Sequence, residues 1–244
     1  MIYRKILLIL FLILFWADQA NATPVIADLS LRQIEIDSGF TGTEILLFGA
    51  RNDAGDIVVV IRGPELSYIV RKKERLAGIW LNRKQARFDN INGFYAVASS
   101  RPLDDIRNDY LINSLQIGAD NIKLLPRKSI EQIDDFRKAF LDRQAKTNLY
   151  SLKVEKVSFI GDTLFRTIIK FPDNIPRGVY TAEVYLFSDN QLAGIQSTPI
   201  IVSKKGFDAV VFDFAHKYPA LYGFISVALA LIAGWGAGLI FRKV

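Results

Sequence analysis

His216 is the only histidine among the 244 residues, cysteine is absent, and the single methionine is Met1. A serine or threonine nucleophile needs a neighbouring general base, most often histidine. His216 lies just before Pro219 and a long apolar stretch, a poor place for a water-excluding pocket, and it reads as an interfacial polar residue. The usual ligand sets of zinc, copper, haem and iron–sulfur clusters cannot be drawn from this composition. The expectation is a chain with no cofactor and no metal site, more in keeping with a binding protein than an enzyme.

Carboxylate chemistry is the route left open. Asp104-Asp105 and Asp134-Asp135 are adjacent pairs, and neighbouring side chains on a helix diverge by about 100°. Neither pair therefore makes an acid–base couple across a substrate. Negative charge near helix N-termini accounts for both. No glycine-rich phosphate loop stands between a strand and a helix.

Basic clusters are more prominent. Arg71, Lys72, Lys73 and Arg75 precede the segment Gly78-Ile79-Trp80-Leu81, and Arg83, Lys84 and Arg87 follow it. An electropositive patch around Trp80 could hold an anionic ligand, polymer or partner. Charged residues that guard a strand edge against aggregation leave the same pattern.

A mean hydropathy of +0.20 is high for a soluble chain, and the excess sits at the two ends. Residues 1–22 have the form of a secretory signal peptide. Arg4 and Lys5 precede an apolar run over 6–17, and Ala20-Asn21-Ala22 supplies a cleavage site. Twelve helical residues span about 18 Å, too short for a hydrocarbon core of about 30 Å. Residues 221–241 carry no charge and reach about 31 Å as a helix, enough to cross. Arg242 and Lys243 follow, and the positive-inside rule places them, as residues 242–244, in the cytoplasm. Export of the N-terminus gives the same orientation. The expected location is a bacterial inner membrane, with the bulk of the chain in the periplasm.

Removal of residues 1–22 takes away Arg4, Lys5 and Asp18 and leaves 29 basic and 24 acidic side chains. In an exported chain this modest excess argues against a nucleic-acid partner and suits anionic headgroups or an acidic protein.

Between the ends the texture is that of strands. Residues 43–50 and 57–62 are short apolar runs joined by Arg51-Asn52-Asp53-Ala54-Gly55-Asp56, a connector suited to a hairpin. The second run, IVVVIR, does not alternate, which predicts a strand covered on both faces. Residues 164–171 alternate, with Phe165, Thr167, Ile169 and Phe171 on one face. Pro176-Arg177-Gly178 turns into residues 179–187, where Tyr180, Ala182, Val184 and Leu186 share a face. A turn over residues 188–191 then returns the chain along 195–202. This turn, strand and hairpin is common in immunoglobulin-like sandwiches.

Ser129 and Gln132 fit a capping box ahead of the stripe Ile130, Ile133, Phe136, Phe140 and Leu141, which predicts a helix ending near Thr147-Asn148. A shorter helix is expected within 101–121. The fold class expected is mainly β, with antiparallel immunoglobulin-like lobes over 23–102 and 150–203. A helical segment over 103–149 intervenes, and a juxtamembrane segment over 204–220 leads into one C-terminal transmembrane helix.

Phe207, Val210, Val211, Phe214 and Tyr218 follow helical spacing, as an interfacial helix would. Ser226, Ala230, Gly234 and Gly238 recur every four residues within the span, a face on which another helix can approach closely.

The runs at 25–50, 58–65, 71–82, 94–106 and 176–187, followed by the final span, resemble a family of alphaproteobacterial transmembrane proteins. The resemblance covers nearly all of the chain after residue 22. It implies an exported protein with a C-terminal anchor and brings no catalytic residue with it. It further implies a neighbourhood of exporter-type permeases for small sulfur-containing anions, and so an accessory role. Two function classes follow. One is a non-catalytic interaction subunit of a membrane complex, with a second copy or a multispan protein as its partner. The other is an envelope enzyme using carboxylate or Ser/Lys chemistry, with a periplasmic anion-binding module between them.

Overall fold

The computed structural model describes residues 23–76, 79–106, 109–128 and 132–241. Residues 1–22, expected to be a signal peptide, lie outside the described residues, as do Gly78, Ser129, Ile130, Arg242 and Lys243.

The fold is mostly β. Its centre is β4 (Asp56–Arg62), in which five consecutive apolar residues, Ile57 to Ile61, are buried. Alternation sends Ile57, Val59 and Ile61 into one core and Val58 and Val60 into a second. A strand covered on both faces has no need of polar alternation, which is why this run reads as continuous.

Around it, β1 (Val25–Leu29), β2 (Gln33–Ile36), β3 (Thr43–Arg51), β5 (Glu65–Leu76), β6 (Ile79–Asn92) and β7 (Tyr95–Ser99) precede the helical segment. After it come β8 (Glu155–Lys156), β9 (Ser158–Ile160), β10 (Leu164–Phe171), β11 (Gly178–Ser188) and β12 (Gln191–Lys204). One sheet has the order β1-β3-β10-β9 and a second the order β2-β12-β11-β4-β7-β8. Both take strands from either side of the helical segment. β5 and β6 pair with each other as a long ribbon, which an isolated bridge from Phe88 to Pro126 ties to the helical segment.

The connector over residues 51–56 is not a hairpin. β3 belongs to the four-stranded sheet and β4 to the six-stranded one, so the loop crosses between layers. Arg51 donates from its guanidinium to the Gly55 carbonyl, and Ser188 Oγ donates to the Ala54 carbonyl at 2.9 Å. The first closes the loop on itself, and the second holds it against the end of β11. Pairing is also not wholly antiparallel, because β2 joins β12 and β8 joins β7 in parallel.

The later strands follow their alternation closely. β10 buries Phe165, Thr167, Ile169 and Phe171, and β11 sends Tyr180, Ala182, Val184 and Leu186 into the core between the sheets. Gly178 has φ 144°, and a Cβ there would lie 2.8 Å from Pro64, so the turn into β11 requires glycine. Tyr180 Oη donates to the Pro176 carbonyl at 2.6 Å and ties the same turn to the core.

The other face of the six-stranded sheet carries the ribbon together with α1 (Asp109–Ser114) and α2 (Ile133–Lys146). α2 starts later than the capping-box reading expects. Gln132 takes a left-handed conformation, φ 61°, ψ 40°, and stands at the N-cap itself. Phe136 and Phe140 are buried, with Ile133 and Leu141 packed beside them. Phe140 meets Tyr68, Phe88 and Tyr150 at ring-centroid distances of 5.1, 6.2 and 5.7 Å. This aromatic knot joins α2, the ribbon and the central sheet.

Buried tyrosines fasten the connecting loops. Tyr95 Oη donates to the Gln116 carbonyl and accepts from the Gly118 N–H, both at 2.8 Å. Tyr150 Oη donates to the Asn92 carbonyl at 2.6 Å. Burial pushes the Tyr95 hydroxyl up to about 12 and raises Tyr150 and Tyr180 as well. A phenol held neutral by the fold ionises first in the unfolded chain, near pH 10. Its stabilisation is therefore complete below about pH 10 and is lost as pH rises towards 12, about 2–3 kcal/mol for Tyr95 alone. The urea midpoint should fall steeply between pH 10 and pH 12; a flat profile would contradict this.

Candidate functional site

Two features stand apart from the packed body: the basic ribbon and the C-terminal helices. The ribbon's faces follow from its register. Tyr68 pairs with Phe88 and Val70 with Ala86, and these side chains turn towards α2 and the core. The intervening positions, Ile69, Arg71, Lys73 and Arg75 on β5 with Gln85 and Arg87 on β6, are exposed. Residues two apart on one strand lie about 6.7 Å apart, so the outer face carries a row of cations.

Two bulges set this pattern. Asp89 and Asn90 stand opposite Ser67, with Asn90 at φ 58°, and Arg83 is the extra residue between the Lys72–Lys84 and Lys73–Asn82 pairs. The register sets Trp80 opposite Arg75. Lys72 and Lys84 stand directly opposite, an unfavourable like-charge pair. Lys72 Nζ reaches Asp135 Oδ2 on α2 at 3.0 Å, which relieves it. Arg87 Nε lies 2.9 Å from Asp89 Oδ1. Hydrogen bonds from Ser67 and then Arg87 hold the Asp89 carboxyl below the usual carboxylate range.

The eight residues grouped in the sequence are thus divided by the structure. Arg71, Lys73, Arg75 and Arg87 belong to one outward face, whereas Lys72 is turned to α2. A cleft of about 450 Å³ lies beside α2, and Arg71, Lys72, Lys73, Asp135, Lys138 and Asp142 are among the residues along its rim. Ile69, Ile79 and Leu81 leave apolar surface exposed on the ribbon. Cations beside exposed aliphatic groups suit an anionic, partly apolar binding partner.

Chain exit from the body is set by α3 (Phe207–Lys217) and α4 (Pro219–Phe241). The Arg177 guanidinium lies 4.5 Å and the Lys204 ammonium 5.5 Å from the Phe212 ring centroid. His216 stacks on the same ring at 3.9 Å. Cation–π contacts thus dock α3 on the β body. Phe212 lies off the stripe Phe207, Val210, Val211, Phe214 and Tyr218, so no periodicity marks it. Phe214 instead meets Tyr218 and Tyr222 at 6.0 and 6.3 Å, bridging into α4.

Pro219–Gly238 is long and apolar enough to cross a membrane, and none of it is buried against the other described residues. Phe224 is 73 % and Trp235 71 % exposed. A core helix would be covered by its own domain, so this exposure favours lipid as its surroundings. Ser226 Oγ donates to the Tyr222 carbonyl at 2.8 Å, which satisfies that hydroxyl within the helix. Ala230 is exposed, and a Cβ at Gly234 or Gly238 would meet nothing within 4 Å. Among the described residues nothing packs on the faces of Gly234 and Gly238.

Among the described residues no group of three or more His, Cys, Asp or Glu side chains is placed to hold a metal ion. Asp104 and Asp105 lie in a 3-10 turn, and Asp134 and Asp135 in the first turn of α2, where negative charge is favourable.

A mostly β body with a C-terminal, lipid-suited helix defines a membrane-associated protein, with one candidate span among the described residues. The chain belongs to the family described as "Putative transmembrane protein (Alph_Pro_TM)", which it matches over residues 24–243. No curated protein matches it.

Proposed function

We propose that the protein is a non-catalytic interaction subunit of a bacterial inner-membrane complex, held by α4 with its β body in the periplasm. Residues 1–22 direct export and are cleaved after Ala22. The single observation that carries this reading is the bare small-residue face of α4. Ser226, Ala230, Gly234 and Gly238 leave a face on which a second helix can pack closely, and none of the described residues occupies it. A multispan permease of the exporter type fits that face, and the cationic ribbon face supplies a second contact for an acidic surface.

Affinity purification of the tagged protein from mild detergent tests this. A membrane protein should co-purify, and Gly234→Ile with Gly238→Ile should reduce its recovery at least tenfold while the body stays folded. Recovery of the protein alone, or undiminished co-purification by the double variant, would sink the reading.

A further inference from the structure

The two edges of β10 are treated unequally. On one side β3 pairs with its whole length, from Leu164↔Ala50 to Phe171↔Thr43. On the other, β9 covers only Leu164 to Arg166. The cause is a change of sheet within six residues. Glu155 and Lys156 pair with β7, Val157 is buried, and Ser158 begins the pairing with β10. Among the described residues no strand lies against Thr167–Phe171 on that side.

At this level the space between the sheets holds a cavity of about 60 Å³. Its apolar walls include Ile61, Ala96, Ala98 and Ile169, and the exposed Glu155 and Lys170 also line it. A water in the liquid occupies ~30 Å³, so the slot accepts about two methyl-sized groups.

We propose that this edge accepts an extended, acidic segment of another protein, which adds to the four-stranded sheet beside β10 and places a small apolar side chain in the slot. An open strand edge presents unpaired N–H and C=O groups, and only another extended backbone satisfies them in series. Strand alternation then sends every second side chain inward, where the slot admits alanine or valine. The remaining side chains point outward, past the exposed Ile168 and the cations Lys156, Arg166 and Lys170. Lys170 is tied only loosely to Glu44, at 3.9 Å with both side chains mostly in solvent. That balance selects carboxylates on the incoming strand. A second copy using its own β10 would set Arg166 and Lys170 against like charges, so the occupant is a different chain. The site makes no use of the membrane helix, and its failure leaves the reading of α4 untouched.

The test uses the full-length protein in detergent and a fluorescein-labelled synthetic ten-residue peptide of alternating Asp and Val. Fluorescence anisotropy should show saturable binding, and amide exchange should slow at Ile168 and Lys170, whose N–H groups point away from β3. Ala96→Leu, which fills the slot, should weaken binding at least tenfold, as should a peptide with Lys in place of Asp. If Ala96→Leu loses its cooperative melt, the solvent-exposed pair Arg166→Glu and Lys170→Glu decides, with the same tenfold loss expected. No binding of the acidic peptide, protection at a different edge, or unchanged affinity of a folded variant would overturn the proposal. So would concentration-dependent protection of the Ile168 and Lys170 amides without peptide, which would identify a second copy as the occupant.

Discussion

A chain ending at Tyr218 is expected to leave the membrane fraction entirely and to appear as a soluble, folded protein. Neither core includes a residue beyond Val202, and none of the candidate span is buried against the body. The truncation removes the Phe214–Tyr222 contact but leaves Arg177 and Lys204 on Phe212. Its cost to the fold is therefore small, a shift of at most a few degrees in Tm. Its effect on location is large, because an apolar helix of about 30 Å is effectively irreversible once inserted. Alkaline washing of membranes followed by a circular-dichroism melt measures both. A truncated chain that still pellets with membranes, or that melts without cooperativity, would contradict this division of roles.

The largest loss of stability from a single substitution is expected at Phe140. It is 3 % exposed and meets aromatic rings from the ribbon and from Tyr150 at once. Phe140→Ala removes the buried ring and leaves a cavity that three other rings cannot collapse to fill, at a cost of about 3–5 kcal/mol. Phe140→Leu keeps most of the volume and should cost about 1–2 kcal/mol. The lesion also loosens the ribbon, so the Lys72–Asp135 contact and the cationic face should lose their fixed geometry together. Urea unfolding of the truncated, soluble chain gives the difference. A loss below 1 kcal/mol for Phe140→Ala would show that α2 and the ribbon do not depend on this knot.

β4 and β10 were readable from the chain because their patterns report burial directly, on both faces for one and on a single face for the other. The apolar helix was readable for the same reason, since length and missing charge are sufficient signals. The loop over residues 51–56 was not, because the turn chemistry of a hairpin and of a crossing between sheets is the same. Which sheet receives β4 is decided by long-range pairing with β11 and β7. The start of α2 shifted because a single residue, Gln132, adopts φ 61°, a backbone choice with no signature in composition.

The ribbon shows the same limit at the site. Its eight basic and aromatic positions form one cluster in sequence, yet alternation and two bulges assign Lys72 to α2 and Arg71, Lys73, Arg75 and Arg87 to solvent. The bulge at Arg83 shifts the register between the two strands, and nothing local announces it. Phe212 was missed because its partners, Arg177 and Lys204, come from the body and not from its own helix. The open edge of β10 arises where residues 155–160 change sheets, a segment too short to leave a periodicity.

The proposed orientation admits one direct measurement, made simple by the absence of cysteine from the chain. Tyr110 is 82 % exposed on the body, and Val244 ends the chain beyond the span. Tyr110→Cys and Val244→Cys, each the only thiol of its variant, are exposed to a membrane-impermeant maleimide in cells with a permeabilised outer membrane. The thiol at position 110 should label with the inner membrane intact, and that at position 244 only after lysis. Labelling in the reverse order, or of both thiols before lysis, would contradict a periplasmic body held by one C-terminal span.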